Sequence, residues 1–143
     1  MKAVIQEEIS GCGIAAVAVL AGVSYGQAKR RANSLGIYTQ DRSLWSDTDY
    51  VRRLLKTYDL HAPSGETPFR DWETLPDRAL LAIKWHRENG TPFWHWVVFV
   101  REGDDVYVLD SKKALKKNRR RDFGRMKPKW FIAVKRSEYK AQQ

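Results

Sequence analysis

The chain has 143 residues and a formal net charge of +9, with 43% hydrophobic and 12% aromatic residues. This length and composition exclude a disordered chain and predict one domain, residues 1–143, that buries a core without disulfides or metals. The single cysteine excludes an internal disulfide, and one cysteine with three histidines is too few for a thiolate zinc site. We therefore expect no cofactor and a reducing, cytoplasmic setting.

The first predicted helix lies in the apolar run 13–23, where small and branched residues recur every three to four positions. This run has about half of the roughly 20 residues that a membrane-spanning helix needs, so we expect no membrane span. Glu7 and Glu8 stand directly before it, where a signal peptide would carry positive charge. We expect a buried helix of a folded domain.

Two further helices are predicted before residue 60. The second runs over residues 24–35, with Ser24 as its cap and Gly36 closing it. The third begins at residue 46 or 47 and buries a face of apolar and aromatic side chains.

After residue 68 the sequence takes on the two-residue period of strands, rich in β-branched and aromatic residues. Four strands are predicted, at residues 79–85, 93–100, 105–110 and 130–135. With helices first and antiparallel strands second, the predicted fold class is α+β, with N-terminal helices packed on a C-terminal antiparallel sheet.

Cys12 is the candidate nucleophile. It opens the first helix, where free backbone N–H groups and the positive end of the helix dipole favour a thiolate. Gly11 and Gly13 on either side have no side chain, so we expect them to leave room for a substrate backbone. The residues around Cys12 fit a buried, inert cysteine equally well.

His95 and Asp110 are the candidate base and the group that orients it. His95 interrupts an apolar strand, where a histidine is otherwise a core residue satisfied by a neighbour. If the hairpin turn centres on residues 102 and 103, His95 faces Asp110 across the ladder, close enough for a hydrogen bond. A three-residue loop or a bulge would shift this pairing by one residue, and Asp110 alone could be a turn residue.

Gln6 could donate its side-chain amide to a forming oxyanion, together with the backbone N–H of Cys12. Gln6, Cys12-Gly13 with the small-residue helix, His95-Trp96-Val97-Val98 and Asp110 form a pattern. It resembles the papain-like cysteine peptidases that trim double-glycine leaders from bacteriocin precursors, domains usually fused to an ABC exporter. The resemblance implies a papain-like fold with Cys12 as nucleophile, His95 as base, Asp110 as orienting residue and Gln6 as oxyanion donor. We expect Trp94 and Trp96, which flank His95, to line the substrate site.

Residues 112–129 form the basic segment, with ten lysines and arginines and one aspartate. Its run of cations could be a solvated loop, could bind nucleic acid, or could steer an acidic peptide or partner to the nearby Asp110. Phe123 is its only aromatic residue, and a surface that stacks on nucleic-acid bases usually has more. We favour the steering role, and the candidate binding residues are Lys116, Lys117, Arg119, Arg120 and Arg121.

Two functions from different classes follow from the sequence. The favoured one is an amide-bond hydrolase acting on a peptide or protein, and the same three residues could also deamidate or transfer an acyl group. The alternative is an inactive peptidase-like binding module that uses the basic segment for nucleic acid or an acidic protein.

Overall fold

The structure is a computed structural model that describes residues 1–137. Its helices are α1 Cys12–Ala21, α2 Tyr25–Ser34, a 3₁₀ helix Arg42–Ser46, α3 Asp49–Lys56 and α4 Phe123–Met126. Its strands are β1 Leu60–His61, β2 Thr67–Pro68, β3 Arg78–Glu88, β4 Thr91–Glu102, β5 Asp105–Leu109, β6 Arg119–Arg120, β7 Trp130–Ala133 and β8 Lys135–Arg136.

Six of the strands form one antiparallel sheet, in the order β2-β7-β3-β4-β5-β6, while β1 and β8 pair separately. The predicted succession of helices followed by an antiparallel sheet, and hence the α+β class, is confirmed. The basic segment is not all loop, because it contributes β6 at the sheet edge and the short helix α4.

The predicted helices form where their local signals lie. Ser24 caps α2 in a capping box, in which its hydroxyl accepts from the Gln27 N–H and the Gln27 side chain accepts from the Ser24 N–H. The third helix begins later than predicted, at Asp49, because the chain first makes the 3₁₀ helix.

Helix α1 is buried over nearly its whole length and packs against α2, α3 and β4. The hydrophobic cluster around α1 includes Val98 and Val100 of β4 and covers one face of the sheet. A second hydrophobic cluster, which includes Val97 and Phe99, covers the other face. No single helix within residues 1–137 is long and apolar enough to cross a membrane, although α1 and α2, bent by 110°, pass that test on length and composition as a pair.

The β3–β4 hairpin is longer than predicted. It turns at Asn89 and Gly90, whose φ angles of 52° and 83° are the left-handed values of a two-residue hairpin turn. An Asn-Gly pair is a strong hairpin signal in sequence, and the strands predicted here stopped short of it on both sides.

The predicted register of the next hairpin is wrong by two residues. Glu102 pairs with Asp105, so the turn centres on Gly103 and Asp104, with Gly103 at a φ of +62°. Glycine at the first turn position explains why the turn forms there, because glycine adopts a positive φ without strain. Asp110 is therefore not directly opposite His95, but a shift of two residues keeps both side chains on the same face of the sheet.

Candidate active site

Cys12 lies at the start of α1, as predicted, and is partly exposed. No acidic residue stands in the first turn and Gly11 offers no side-chain cap, so the helix terminus keeps its positive character at the sulfur.

The space beside Gly11 and Gly13 is filled by protein side chains and is not open to a substrate. Both glycines are buried, and a Cβ would collide with the Tyr25 hydroxyl at Gly11 and with the Tyr50 hydroxyl at Gly13. The expectation that these glycines open the site is corrected: they let two tyrosines pack against the loop and helix that carry Cys12.

His95 and Asp110 are hydrogen-bonded. His95 Nε2 donates to Asp110 Oδ1 at 2.7 Å, a short, charge-assisted distance. The contact is diagonal across the β4–β5 ladder, which is within reach of a long side chain such as histidine. The other ring nitrogen, Nδ1, is thus left for Cys12, which lines the same cavity as His95.

The electrostatics of this pair favour the charged forms of both groups. Burial opposes the imidazolium form, but the hydrogen bond to Asp110 and the neighbouring Cys12 outweigh it and raise the pKa of His95 to about 9. Burial also opposes the Asp110 carboxylate, yet the hydrogen bond and charge of His95, with the Lys112 N–H and Arg120, lower its pKa to about 2. At neutral pH the pair is therefore an imidazolium beside a carboxylate.

Arg120 is a site residue that sequence reasoning assigned to the wrong role. Its Nη1 donates to Asp110 Oδ2 at 2.9 Å, and its Nε and Nη2 donate to the two oxygens of Asp122 at 2.9 and 2.7 Å. Asp110 is only 1% exposed, so His95 and Arg120 between them satisfy a buried carboxylate from both sides. The sequence feature that could have indicated this role is Asp122, the one acidic residue in the basic segment, which stands two residues after Arg120.

The loop after Asp110 is tied back to it. The Lys112 N–H donates to Asp110 Oδ1 at 3.0 Å, and the Asp110 N–H donates to the Asn118 carbonyl at 2.8 Å. The Asn118 side chain closes the loop by donating to the carbonyls of Asp110 and Lys112. These bonds fix the carboxylate that orients His95.

Gln6 lies beside the site but its amide is occupied. Nε2 donates to the carbonyls of Glu8 and Ile9, both at 2.9 Å, while Oε1 accepts from the Ser111 hydroxyl at 2.7 Å. In this state Gln6 shapes the turn that leads to Cys12, and an oxyanion would have to replace one of the two carbonyls.

A cavity of about 180 Å³ opens at Cys12 and His95 with mostly aromatic walls. Trp94 and Trp96, which flank His95, line it together with Trp45, Tyr50 and Phe93. Trp94 and Trp96 are braced edge-on by Trp130, with ring centres 5.1 and 5.4 Å from it. This groove therefore has rigid, apolar walls.

The candidate cations of the basic segment divide into two groups. Arg119 stacks on the Tyr107 ring at 4.1 Å, Arg120 holds Asp110, and Arg121 pairs with Asp105 at 2.7 Å. Lys116 and Lys117 are exposed and make no ion pair within residues 1–137. Arg120 therefore supports the fold around Asp110, unlike the two exposed lysines. A nucleic-acid surface gains no support.

Among the described residues, no three histidine, cysteine, aspartate or glutamate side chains come together in a way that could hold a metal ion. The chemistry available at the site is that of a thiol, an imidazole and a carboxylate beside a groove.

No protein-family model matches the sequence, and no curated protein matches it significantly. Among solved structures, the chain is similar to a double-glycine motif protease from an AMS/PCAT transporter, solved in complex with its leader peptide. The TM-score is 0.60 at 19% identity, over 95% of this chain and 91% of that one. At this identity the likeness establishes the fold, which the two chains share over nearly their whole length.

Proposed function

We propose that the protein is a cysteine peptidase in which Cys12 attacks a peptide bond, His95 moves the proton and Asp110 orients His95. The observation that carries this proposal is the His95–Asp110 hydrogen bond at 2.7 Å beside Cys12 at a helix N-terminus. A nucleophile, a base and a group that orients the base are the minimum set for acyl transfer through a thioester.

In the first step the Cys12 proton rests on His95 Nδ1, and the thiolate forms a bond to the carbonyl carbon of the substrate. The carbon–nitrogen bond then breaks, and the amine leaves with the proton that His95 returns. In the second step His95 takes a proton from water, the hydroxide attacks the thioester, and the acid is released as Cys12 regains its thiol. Asp110 keeps its charge and holds His95 throughout.

The negative charge on the carbonyl oxygen needs donors. The backbone N–H of Cys12 stands at the N-terminus of α1, where N–H groups lack helical partners. Gln6 is the proposed second donor, with Nε2 exchanging one backbone carbonyl for the oxyanion.

The substrate of the structural neighbour suggests a substrate class. That protein is a double-glycine motif protease bound to a leader peptide, and we propose that this chain likewise cleaves a peptide in extended form. The aromatic groove would take apolar side chains, and Ile9, 99% exposed at its rim, offers an apolar contact that a bound peptide would cover.

The test is a panel of synthetic peptides with and without Gly-Gly, incubated with wild type and with Cys12→Ala. We expect cleavage products and a transient thioester on Cys12 by mass spectrometry, with at least about a 10⁴-fold loss of rate in Cys12→Ala. Cleavage by Cys12→Ala at the wild-type rate would contradict the proposal. Conversion of side-chain amides to acids without chain cleavage would assign the same residues to deamidation.

A further inference from the structure

A second cavity, of about 330 Å³, adjoins the aromatic groove at His95. The two cavities share only His95 and Ile9, and Cys12 lines the groove but not the second cavity. The groove is lined by aromatic rings, whereas Lys84, Lys112 and Lys113 line this second cavity. A peptide bound at Cys12 could therefore meet two adjoining surfaces of different chemistry.

The three lysines of the second cavity form no ion pair with Glu7 or Glu8, the two carboxylates that line it. None of the three lysines has a carboxylate within 4.0 Å in residues 1–137. Glu8 lines the cavity too, but its oxygens already bind Lys29, Tyr25 and Thr39.

Two of the lysines, Lys84 and Lys112, line the same cavity and influence each other. The neighbouring Lys112, together with partial burial, lowers the pKa of Lys84. Two adjacent ammonium groups repel each other unless an anion lies between them, so their pairing creates a strong local attraction for negative charge.

The backbone fixes where both side chains stand. Lys84 occupies a β-bulge between Ile83 and His86, at a φ of +53° that is rare outside glycine, and bulges beside active sites commonly redirect a side chain. The Lys112 N–H binds the same Asp110 oxygen that holds His95. The backbone at both lysines is therefore held in a defined position relative to His95, from which their exposed side chains extend.

We propose that Lys84 and Lys112 form a binding site for a carboxylate of the peptide substrate, an acidic side chain that enters the second cavity rather than the aromatic groove. This inference rests on the proposed peptidase function and adds a substrate preference to it. Glu7, exposed and without an ion pair in residues 1–137, lines the same cavity and is the internal competitor for these lysines.

Alkylation of Cys12 tests the site without knowledge of the natural substrate. Cys12 is the only cysteine, so every alkylated molecule reports on this position. The probes are the bromoacetyl derivatives of aspartic acid amide and asparagine amide, which differ only in the negative charge. We expect the aspartate probe to react about tenfold faster at low salt, and this preference to fall as salt is added.

The decisive variant is Lys84→Gln combined with Lys112→Gln, in which the rate ratio of the two probes should fall to about one. The matched control is Lys56→Gln with Lys135→Gln, which removes the same charge from exposed positions that line neither cavity. Circular dichroism checks the fold of both. Glu7→Gln, a single exposed change, should raise the ratio above that of wild type.

A ratio near one in wild type, or an unchanged ratio in the Lys84/Lys112 variant, would overturn the carboxylate site while leaving a reactive Cys12 intact. A Cys12 that reacts with neither probe would overturn the peptidase proposal and this inference together. The neutral asparagine probe thus separates the two failures.

Discussion

The two ends of the basic segment use their charge in different ways. At residues 119–121 each arginine has a partner within the chain, and Arg120 reaches the buried carboxylate of Asp110. At residues 112–117 the lysines are exposed and have no carboxylate partner in the part of the chain that the structure describes. The arginine end binds the buried carboxylate of the candidate site, whereas Lys112 and Lys113 of the other end line the cavity beside His95.

The comparison shows that a run of like charge does not have one function. A cation that lies against a buried acid is part of the fold, because removing it leaves an unpaired charge in the interior. A cation in solvent contributes little to stability and acts on what approaches from outside. Substitutions at the arginine end should therefore lower stability, whereas substitutions at the lysine end should change binding and leave stability almost unchanged.

Among the substitutions that test this comparison, Asp110→Asn should have the largest effect, because Asp110 is the group that both His95 and Arg120 contact. We expect a loss of about 10³-fold in kcat/KM, less than the loss in Cys12→Ala, since an amide can still orient the imidazole. The carboxylate helps to raise the pKa of His95 to about 9, and the imidazolium is lost as pH rises through that value. The alkaline limb of kcat/KM should therefore move to lower pH in Asp110→Asn, and an unmoved limb would contradict the pairing.

Arg120→Met should destabilise the fold by about 3 kcal/mol, the low end for breaking a buried ion pair, as measured by urea unfolding. With its cation gone, Asp110 is less well neutralised and stabilises the imidazolium more strongly, so the alkaline limb should move to higher pH. Arg120→Lys keeps the charge but loses the forked guanidinium that binds Asp110 and Asp122 together. Its free energy of unfolding should therefore lie between those of wild type and Arg120→Met. A stability loss without any shift of the limb would give Arg120 a purely structural role.

Gln6→Ala should lower kcat by about 10²-fold, or about 2.7 kcal/mol, which is the cost of losing one oxyanion donor. Steady-state kinetics separates this role from the one Gln6 has in the structure, where it supports the turn before Cys12. A change confined to KM would show that Gln6 only shapes the loop.

Lys116→Gln with Lys117→Gln should have the smallest effect on the fold, within about 0.5 kcal/mol in urea unfolding, as for most exposed substitutions. If these lysines steer an acidic substrate, kcat/KM for it should fall at low salt and recover toward the wild-type value at high salt. A stability loss as large as that of Arg120→Met would erase the distinction between the two ends.

Local signals in the sequence were sufficient to predict α1, α2 and the position of Cys12. Ser24 with Gln27 three residues later is a capping box, and it forms as such. The β4–β5 register was harder to predict, because the turn centre depends on whether Gly103 is the first or the second residue of the turn. The His95–Asp110 contact was predicted correctly through a wrong register, since a two-residue error leaves side chains on the same face.

The remaining features depend on contacts between residues far apart in the chain. Arg120 meets Asp110 because β6 folds back along β5, and nothing in a run of cations indicates which one turns inward. The tyrosines beside Gly11 and Gly13 come from α2 and α3, so the missing side chains could equally have meant open space. The hydrogen bonds of Gln6 to two backbone carbonyls are likewise visible only in the folded chain.

The most direct test of the account is the rate at which iodoacetamide alkylates Cys12 as a function of pH, in wild type and in His95→Gln. An ordinary thiol, with a pKa of about 8.5, gains about a hundredfold in reactivity between about pH 6 and about pH 8. We predict that wild type changes by less than about fivefold over that range because His95 takes the Cys12 proton, whereas His95→Gln shows the steep rise of an ordinary thiol. The same steep profile in both proteins would contradict the central claim that Cys12 and His95 act as one catalytic pair.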